Sequence, residues 1–299
     1  MNLPSRFEDI EQLEDFMSAP SQALVNALAC VSGDIMVLGV GGKMGPTLAR
    51  MAKRAAPAKR IIGVARFSEA GLRERLQQQG VECLQADLLS REALTALPEA
   101  DNIIFMAGRK FGSRGSEWLT WAMNAHVPAL VAERYRSSRI VAFSTACVYP
   151  FVSVAGNGAK EELPSTAPSG EYANSCVARE PIDLTMGYAN IIWQGEANDW
   201  ALQSLAHCET PTSALNLSGP RISIRATAQA LGERLGIAPV LSGAEADTAW
   251  LVDCDQANTL FGAPKVSLET MLDWTADWAQ RGMSTLGKPT HYETRDGKY

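Results

Sequence analysis

Apolar residues in this chain gather in short blocks, separated by stretches where they recur every three or four positions. The blocks at 34–38, 60–65, 82–85, 102–106 and 139–143 predict strands. The stretches at 44–55, 70–79, 91–97 and 116–135 predict the intervening helices, with Pro128 kinking or dividing the last one. Strands alternating with helices imply an α/β protein whose parallel sheet is covered on both faces.

The pattern is different at the two ends. Residues 8–30 predict one or two amphipathic helices ahead of the first strand, with Ser21 capping the stretch from Ala23. After Pro150 the texture loosens into a Pro-, Gly- and Ser-containing surface loop over 150–171, of a length that often serves function. Beyond Pro181 the reading is a strand near 190–193, a helix over 196–206, a strand over 214–217, a helix over 224–235 and a closing helix over 268–281. Leu268, Met271, Leu272, Thr275 and Trp278 form the closing helix's expected core face. Three parts follow: a helical extension (1–33), the strand–helix unit (34–180), and a smaller C-terminal lobe with a polar tail (181–299).

The most telling stretch is DIMVLGVGGKMG, residues 34–45, where an apolar strand breaks into a glycine-dense turn before a helix. Gly39, Gly42 and Gly45 are spaced by three, with Gly41 between. Such glycines let a backbone turn sharply, approach a pyrophosphate and pack a helix on its sheet. Free amides at the helix N-terminus then face the phosphates. The unit therefore reads as a Rossmann-like dinucleotide-binding domain.

Composition narrows the class. A net charge of −6 leaves no basic stripe for nucleic acid. No apolar run approaches membrane-spanning length, and the acidic N-terminal segment lacks a signal peptide's features, so a cytoplasmic protein is expected. The six cysteines lie far apart, as buried thiols of a reducing compartment do, and three histidines make a metal site an unlikely design. No metal is expected.

Other segments line up behind the glycine turn: QADL (85–88), NIIFMAG (102–108), RIVAFSTACVYP (139–150) and EYANSCVARE (171–180). In this order the chain resembles the extended short-chain dehydrogenase/reductases, the NAD-dependent epimerase/dehydratase group. LNLSGPRISIRATAQALGERLG (215–236) and the run 260–281 look like that group's C-terminal lobe. The resemblance implies that Gly39, Gly42 and Gly45 hold the pyrophosphate, with Gly41, Lys43 and Met44 also among the cofactor-binding residues. It places Asp87 and Leu88 at the adenine, Ala107 along the nicotinamide ribose with Met106 and Gly108 also binding the cofactor, and Asn124 beneath the active site. Thr145 takes the catalytic Ser/Thr position and Tyr172 the general acid/base. A sugar-like small molecule is the implied substrate, and a homodimer is an assembly left open.

Two departures stand out. The family's lysine four residues after the tyrosine is Cys176 here, which carries no positive charge to favour the phenolate; Arg179 lies on the same predicted helix face, with a solvated surface charge as its plainer reading. The chain also reaches Pro181 nine residues after Tyr172, too soon for a full helix and a further strand, so a smaller sheet and a weakened dimer surface are expected. The cofactor choice is read at the second strand, which ends Val64-Ala65-Arg66 with Ser68 nearby. A guanidinium and a hydroxyl suit a 2′-phosphate, which favours NADP over NAD, with Glu69 as the residue able to turn toward a ribose instead. The leading expectation is an NAD(P)-dependent oxidoreductase or epimerase/dehydratase. The alternative is a non-catalytic NAD(P)-binding sensor or scaffold.

Overall fold

The computed structural model describes residues 3–109, 116–163 and 182–285. Two helices precede the sheet, α1 (Ile10–Met17) and α2 (Gln22–Cys30). Ser21 caps α2 as expected, its Oγ accepting from Leu24 N at 3.0 Å. Then come β1 (Ile35–Leu38), α3 (Gly45–Ala55), β2 (Ile61–Ala65), α4 (Leu72–Gln78), β3 (Glu82–Gln85), α5 (Arg91–Thr95) and β4 (Asn102–Phe105). The strands pair in parallel in the order β3-β2-β1-β4-β5, where β5 is Arg139–Ala142. All four residues of β1 and of β4 are buried, the mark of central strands covered on both faces.

Between β4 and β5 the long helix divides at the point Pro128 predicts. An α-helical turn, α6 (Glu117–Trp121), passes through a π-helical stretch at Ala122–His126 into α7 (Val127–Arg134). Pro128 has no N–H to donate one turn back, and the wider π turn absorbs that gap. One sheet face is packed by α2, α3 and α4 around Leu28, Ile35, Val37, Leu48 and Leu76; the other by α5 and α7 around Met36, Leu38, Ile103, Leu130 and Tyr135.

Past β5 the chain builds smaller pieces. The stretch expected as a plain loop from residue 150 contains β6 (Val152–Ser153), which pairs antiparallel with β11 (Thr248–Ala249). Next are β7 (Ile182–Asp183), β8 (Tyr188–Asn190), α8 (Gln194–Gln203), β9 (Arg221–Ser223), α9 (Ile224–Leu235) and β10 (Leu241–Ser242). The chain closes with α10 (Asp255–Phe261) and α11 (Leu268–Gln280). β7 joins β10, not the central sheet, so among the described residues that sheet ends at β5. The edge of β5 lies beside the short helix Ser204–His207, and the thiol of Cys208 reaches Ile140 O.

Several expectations shift. The strand expected over 214–217 is absent; that segment is irregular, and β9 begins four residues later, pairing with β8. Asn216 explains why: its Nδ2 donates to Ala159 O and Asp253 O at 2.9 and 3.1 Å, so side chain replaces ladder. On α11 the buried face contains Leu272, Trp274 and Ala276, whereas Thr275 is exposed. Trp274 turns inward to meet Phe7, Phe16 and Trp193, and its Nε1 donates to Pro4 O. Of the cysteines, Cys83 and Cys254 are buried, but Cys30 is exposed, at the end of α2 where the helix leaves the core. Burial pushes the Cys254 thiol up to about 11.

Candidate cofactor and active site

Apart from Asn124, the expected site residues in the described chain follow the C-terminal ends of the parallel strands, where an open α/β sheet leaves a crevice. The turn from Gly39 to Met44 follows β1, Arg66 follows β2, and Asp87 and Leu88 follow β3. Met106, Ala107 and Gly108 follow β4, and Thr145 lies three residues past β5.

The glycines of the turn divide by cause. Gly39 has a φ of +93°, and a Cβ on it would stand 2.6 Å from Ala107 N, so the turn can touch the end of β4 only if this residue is glycine. A Cβ on Gly45 would meet Val40 O at 2.3 Å, so helix and turn close-pack there. Gly42 differs: a Cβ would meet only Gly39 O, at 3.5 Å, which is ordinary contact. The fold places no demand for glycine at 42, and the space in front of it is free for a ligand group. Behind it Met44 is the N-cap of α3 and supplies no side-chain cap; α4, α6, α7, α8 and α10 also lack one, whereas serines cap α2, α5, α9 and α11. The first turn of α3 also carries no acidic residue. An uncapped helix start behind an open glycine fits a pyrophosphate.

At the second strand, Arg66 is exposed and its carbonyl accepts from Gln85 Nε2 at 3.2 Å. Phe67 beside it adopts a φ of +51°, rare for a residue with a side chain, and packs on the core. Glu69, the residue able to serve a ribose, is paired instead with Arg75 at 3.1 Å. Asp87 is exposed and turns Oδ1 to Leu89 N at 3.1 Å, while Leu88 is buried.

Asn124 lies in the π-helical stretch. Its Oδ1 accepts from Arg109 N and its Nδ2 donates to Arg109 O, both at 2.8 Å, and a Cβ on Gly108 would stand 3.4 Å from the same Oδ1. The loop after β4 is thereby fixed to the helix, and Arg109 Nη2 reaches Ser116 Oγ at 2.9 Å. Sequence reading placed Asn124 at the site but missed this grip, which joins residues fifteen positions apart. Thr145 is half-buried and accepts from Cys147 N at 3.3 Å, heading a short helical turn. Tyr149 is a packing residue: it is buried with Ala159 and Val252, and burial raises its phenol above the ordinary value. Tyr172, Cys176 and Arg179 lie outside the described residues. No group of His, Cys, Asp and Glu among the described residues is arranged to hold a metal, and no described helix is long and apolar enough to cross a membrane.

Comparison with known proteins agrees with this arrangement. Residues 35–183 match the profile of the NAD dependent epimerase/dehydratase family. No curated protein matches significantly. Among solved structures, dTDP-glucose 4,6-dehydratase from Bacillus anthracis, in complex with NAD, aligns with a TM-score of 0.66 at 13% identity, over 84% of this chain and 97% of that one. MoeE5, in complex with UDP-glucuronic acid and NAD, aligns at 0.63 and 15% identity, over 84% of this chain and all of that one (100%). A UDP-galactose 4-epimerase gives 0.61 and 16%, over 83% and 99%. At these identities the likeness is one of fold.

Proposed function

We infer that this chain, a member of the NAD dependent epimerase/dehydratase family over residues 35–183, binds a nicotinamide dinucleotide along the ends of β1, β2, β3 and β4. The reading adopted is an oxidoreductase or epimerase/dehydratase acting at a hydroxyl or carbonyl carbon of a sugar-like small molecule. Gly42 carries the reading: its missing side chain serves no packing need, and the uncapped start of α3 stands behind it.

In this reading the turn Gly39–Gly45 holds the pyrophosphate, with Gly41, Lys43 and Met44 lining it. Asp87 and Leu88 take the adenine, and Met106, Ala107 and Gly108 border the nicotinamide ribose, held by Asn124. NADP is favoured over NAD, supported by the exposed Arg66 and by the engagement of Glu69 with Arg75. When bound, the nicotinamide supplies hydride chemistry at the substrate carbon. The chain's part is to orient that carbon through Thr145 and to move a proton on the substrate oxygen through Tyr172. A phenol with an ordinary pKa near 10 needs electrostatic help for this, and Cys176 supplies none.

The test is incubation with NADP or NAD and a panel of nucleotide-linked sugars and keto compounds, followed by nicotinamide absorbance and product separation. Interconversion or net oxidation of a sugar-like substrate supports catalysis. Dinucleotide binding with no conversion of any compound would favour the sensor or scaffold instead.

A further inference from the structure

Helix α8 reaches the dinucleotide turn from behind. Gln194 and Asn198 are one helical turn apart on α8, and both aim side-chain amides at one hydroxyl, Thr47 Oγ1, each at 3.1 Å. That hydroxyl donates in turn to Met44 O at 3.1 Å. A threonine hydroxyl has one proton to give and two lone pairs to fill, so all three positions are used. Thr47 is 5% exposed and Asn198 0%, with Gln194 half-buried beside them. Met44 is the N-cap of α3, and its carbonyl also accepts from Leu48 N at 3.0 Å. Gln194 and Thr47 line a cavity of about 210 Å³ that extends to Gly42 and Lys43, so the cluster abuts the turn itself.

Five of the eleven described α-helices, α1, α2, α5, α9 and α11, are steadied at the start by a capping side chain that occupies a free amide; α3 is among the six without one. A phosphate-binding helix needs those amides for its ligand. Bonding Thr47 from the rear steadies the first turn while leaving the amides open. α8 is suited to this because it is buried along nearly its whole length and packs against both α2 and α3.

We propose that Gln194 and Asn198, acting through Thr47, are positioning residues of the dinucleotide site, holding the first turn of α3 in the geometry that receives the pyrophosphate. The proposal rests on the dinucleotide reading above. It assigns the C-terminal half of the chain a part in cofactor affinity, since α8 follows directly from β8.

The experiment is calorimetric titration of NADP and NAD into wild type, Thr47→Val, Thr47→Ser and Gln194→Met, each well below its own melting temperature. Thr47→Val keeps the shape and loses the hydroxyl; Thr47→Ser keeps the hydroxyl. The expected result is about tenfold weaker binding of both cofactors in Thr47→Val, the order expected when a hydrogen-bonding centre is lost. Thr47→Ser should stay within about twofold of wild type, and the NADP-to-NAD ratio should not change, because the 2′-phosphate is read elsewhere. Gln194→Met, which removes one of the two donors at a half-buried position, should weaken both cofactors by a smaller factor and stands in if Thr47→Val fails to fold. Wild-type affinity in a folded Thr47→Val or, failing that, in Gln194→Met overturns the proposal, as does equal loss in Thr47→Ser. A wild type that binds neither cofactor overturns the dinucleotide reading itself, and the proposal with it.

Discussion

Asn124 grips Arg109 by both faces of its backbone, accepting from its N–H and donating to its carbonyl at 2.8 Å each. The grip ties the loop after β4 to the π-helical turn of the neighbouring helix. Replacing Asn124 with Ala should release that loop. Two bonds at an exposed side chain are together worth roughly 1 kcal/mol, so the fold should survive with a melting temperature lower by a few degrees. Hydrogen exchange at the amide of Arg109 should rise sharply, and an unchanged rate would show that the loop is held by other contacts.

Arg66 is predicted to read the 2′-phosphate. Arg66→Ala should weaken NADP by a charge-assisted interaction of about 1–3 kcal/mol, roughly fivefold to 150-fold, and leave NAD nearly unchanged. Titration with both cofactors checks this. Equal losses for the two would show that Arg66 does not discriminate between them.

Much of this was legible from residue pattern alone. The five strand blocks and the glycine turn are encoded locally, because a fully buried parallel strand must be apolar along its length and a tight turn must have glycine. What stayed hidden depends on partners far away in sequence. β6 is two residues long and exists only because residues 248–249 pair with it. The strand misplaced over 214–217 is apolar enough to suggest a ladder, but Asn216 fixes that segment through its side chain. Trp274 is absent from the face that spacing predicts for the closing helix because its burial is set by Phe7 and Phe16 from the N-terminal segment. Nothing in local spacing links Thr47 to Asn198, 151 positions away.

The C-terminal lobe should show a definite acid response. Arg225 donates to Glu245 through Nε at 2.6 Å and Nη2 at 3.0 Å, and this hydrogen bonding holds the Glu245 carboxyl down to about 2. The unfolded chain, with an ordinary carboxyl, binds more protons between that value and about 4.5, so stability rises with pH across the window. The contribution is complete above it and is lost as pH falls through it. Melting curves of wild type and Glu245→Gln should differ at neutral pH and converge toward pH of about 2. A constant difference at every pH would show that the carboxylate's charge is not what matters.

Chemistry should depend on Tyr172 and on what stands near it in sequence. Tyr172→Phe should abolish most turnover while cofactor binding survives; retained turnover would reject the acid/base role. A positive charge favours the phenolate and lowers its pKa, so Cys176→Lys should move the basic limb of the pH–rate profile to lower pH. A profile that does not move would show that position 176 does not face the phenol.

The most direct test of the whole account is the binding of dinucleotide at the turn before α3. Wild type and Gly42→Val should be titrated calorimetrically with NADP and NAD, with thermal melts of both proteins run alongside. The open space at Gly42 means that the valine variant should fold as wild type does. Wild type should bind, with NADP the tighter ligand, and Gly42→Val should lose most of its affinity for both. Folded wild type that gives neither heat nor thermal shift with either cofactor, or Gly42→Val that binds as well as wild type, would contradict the account.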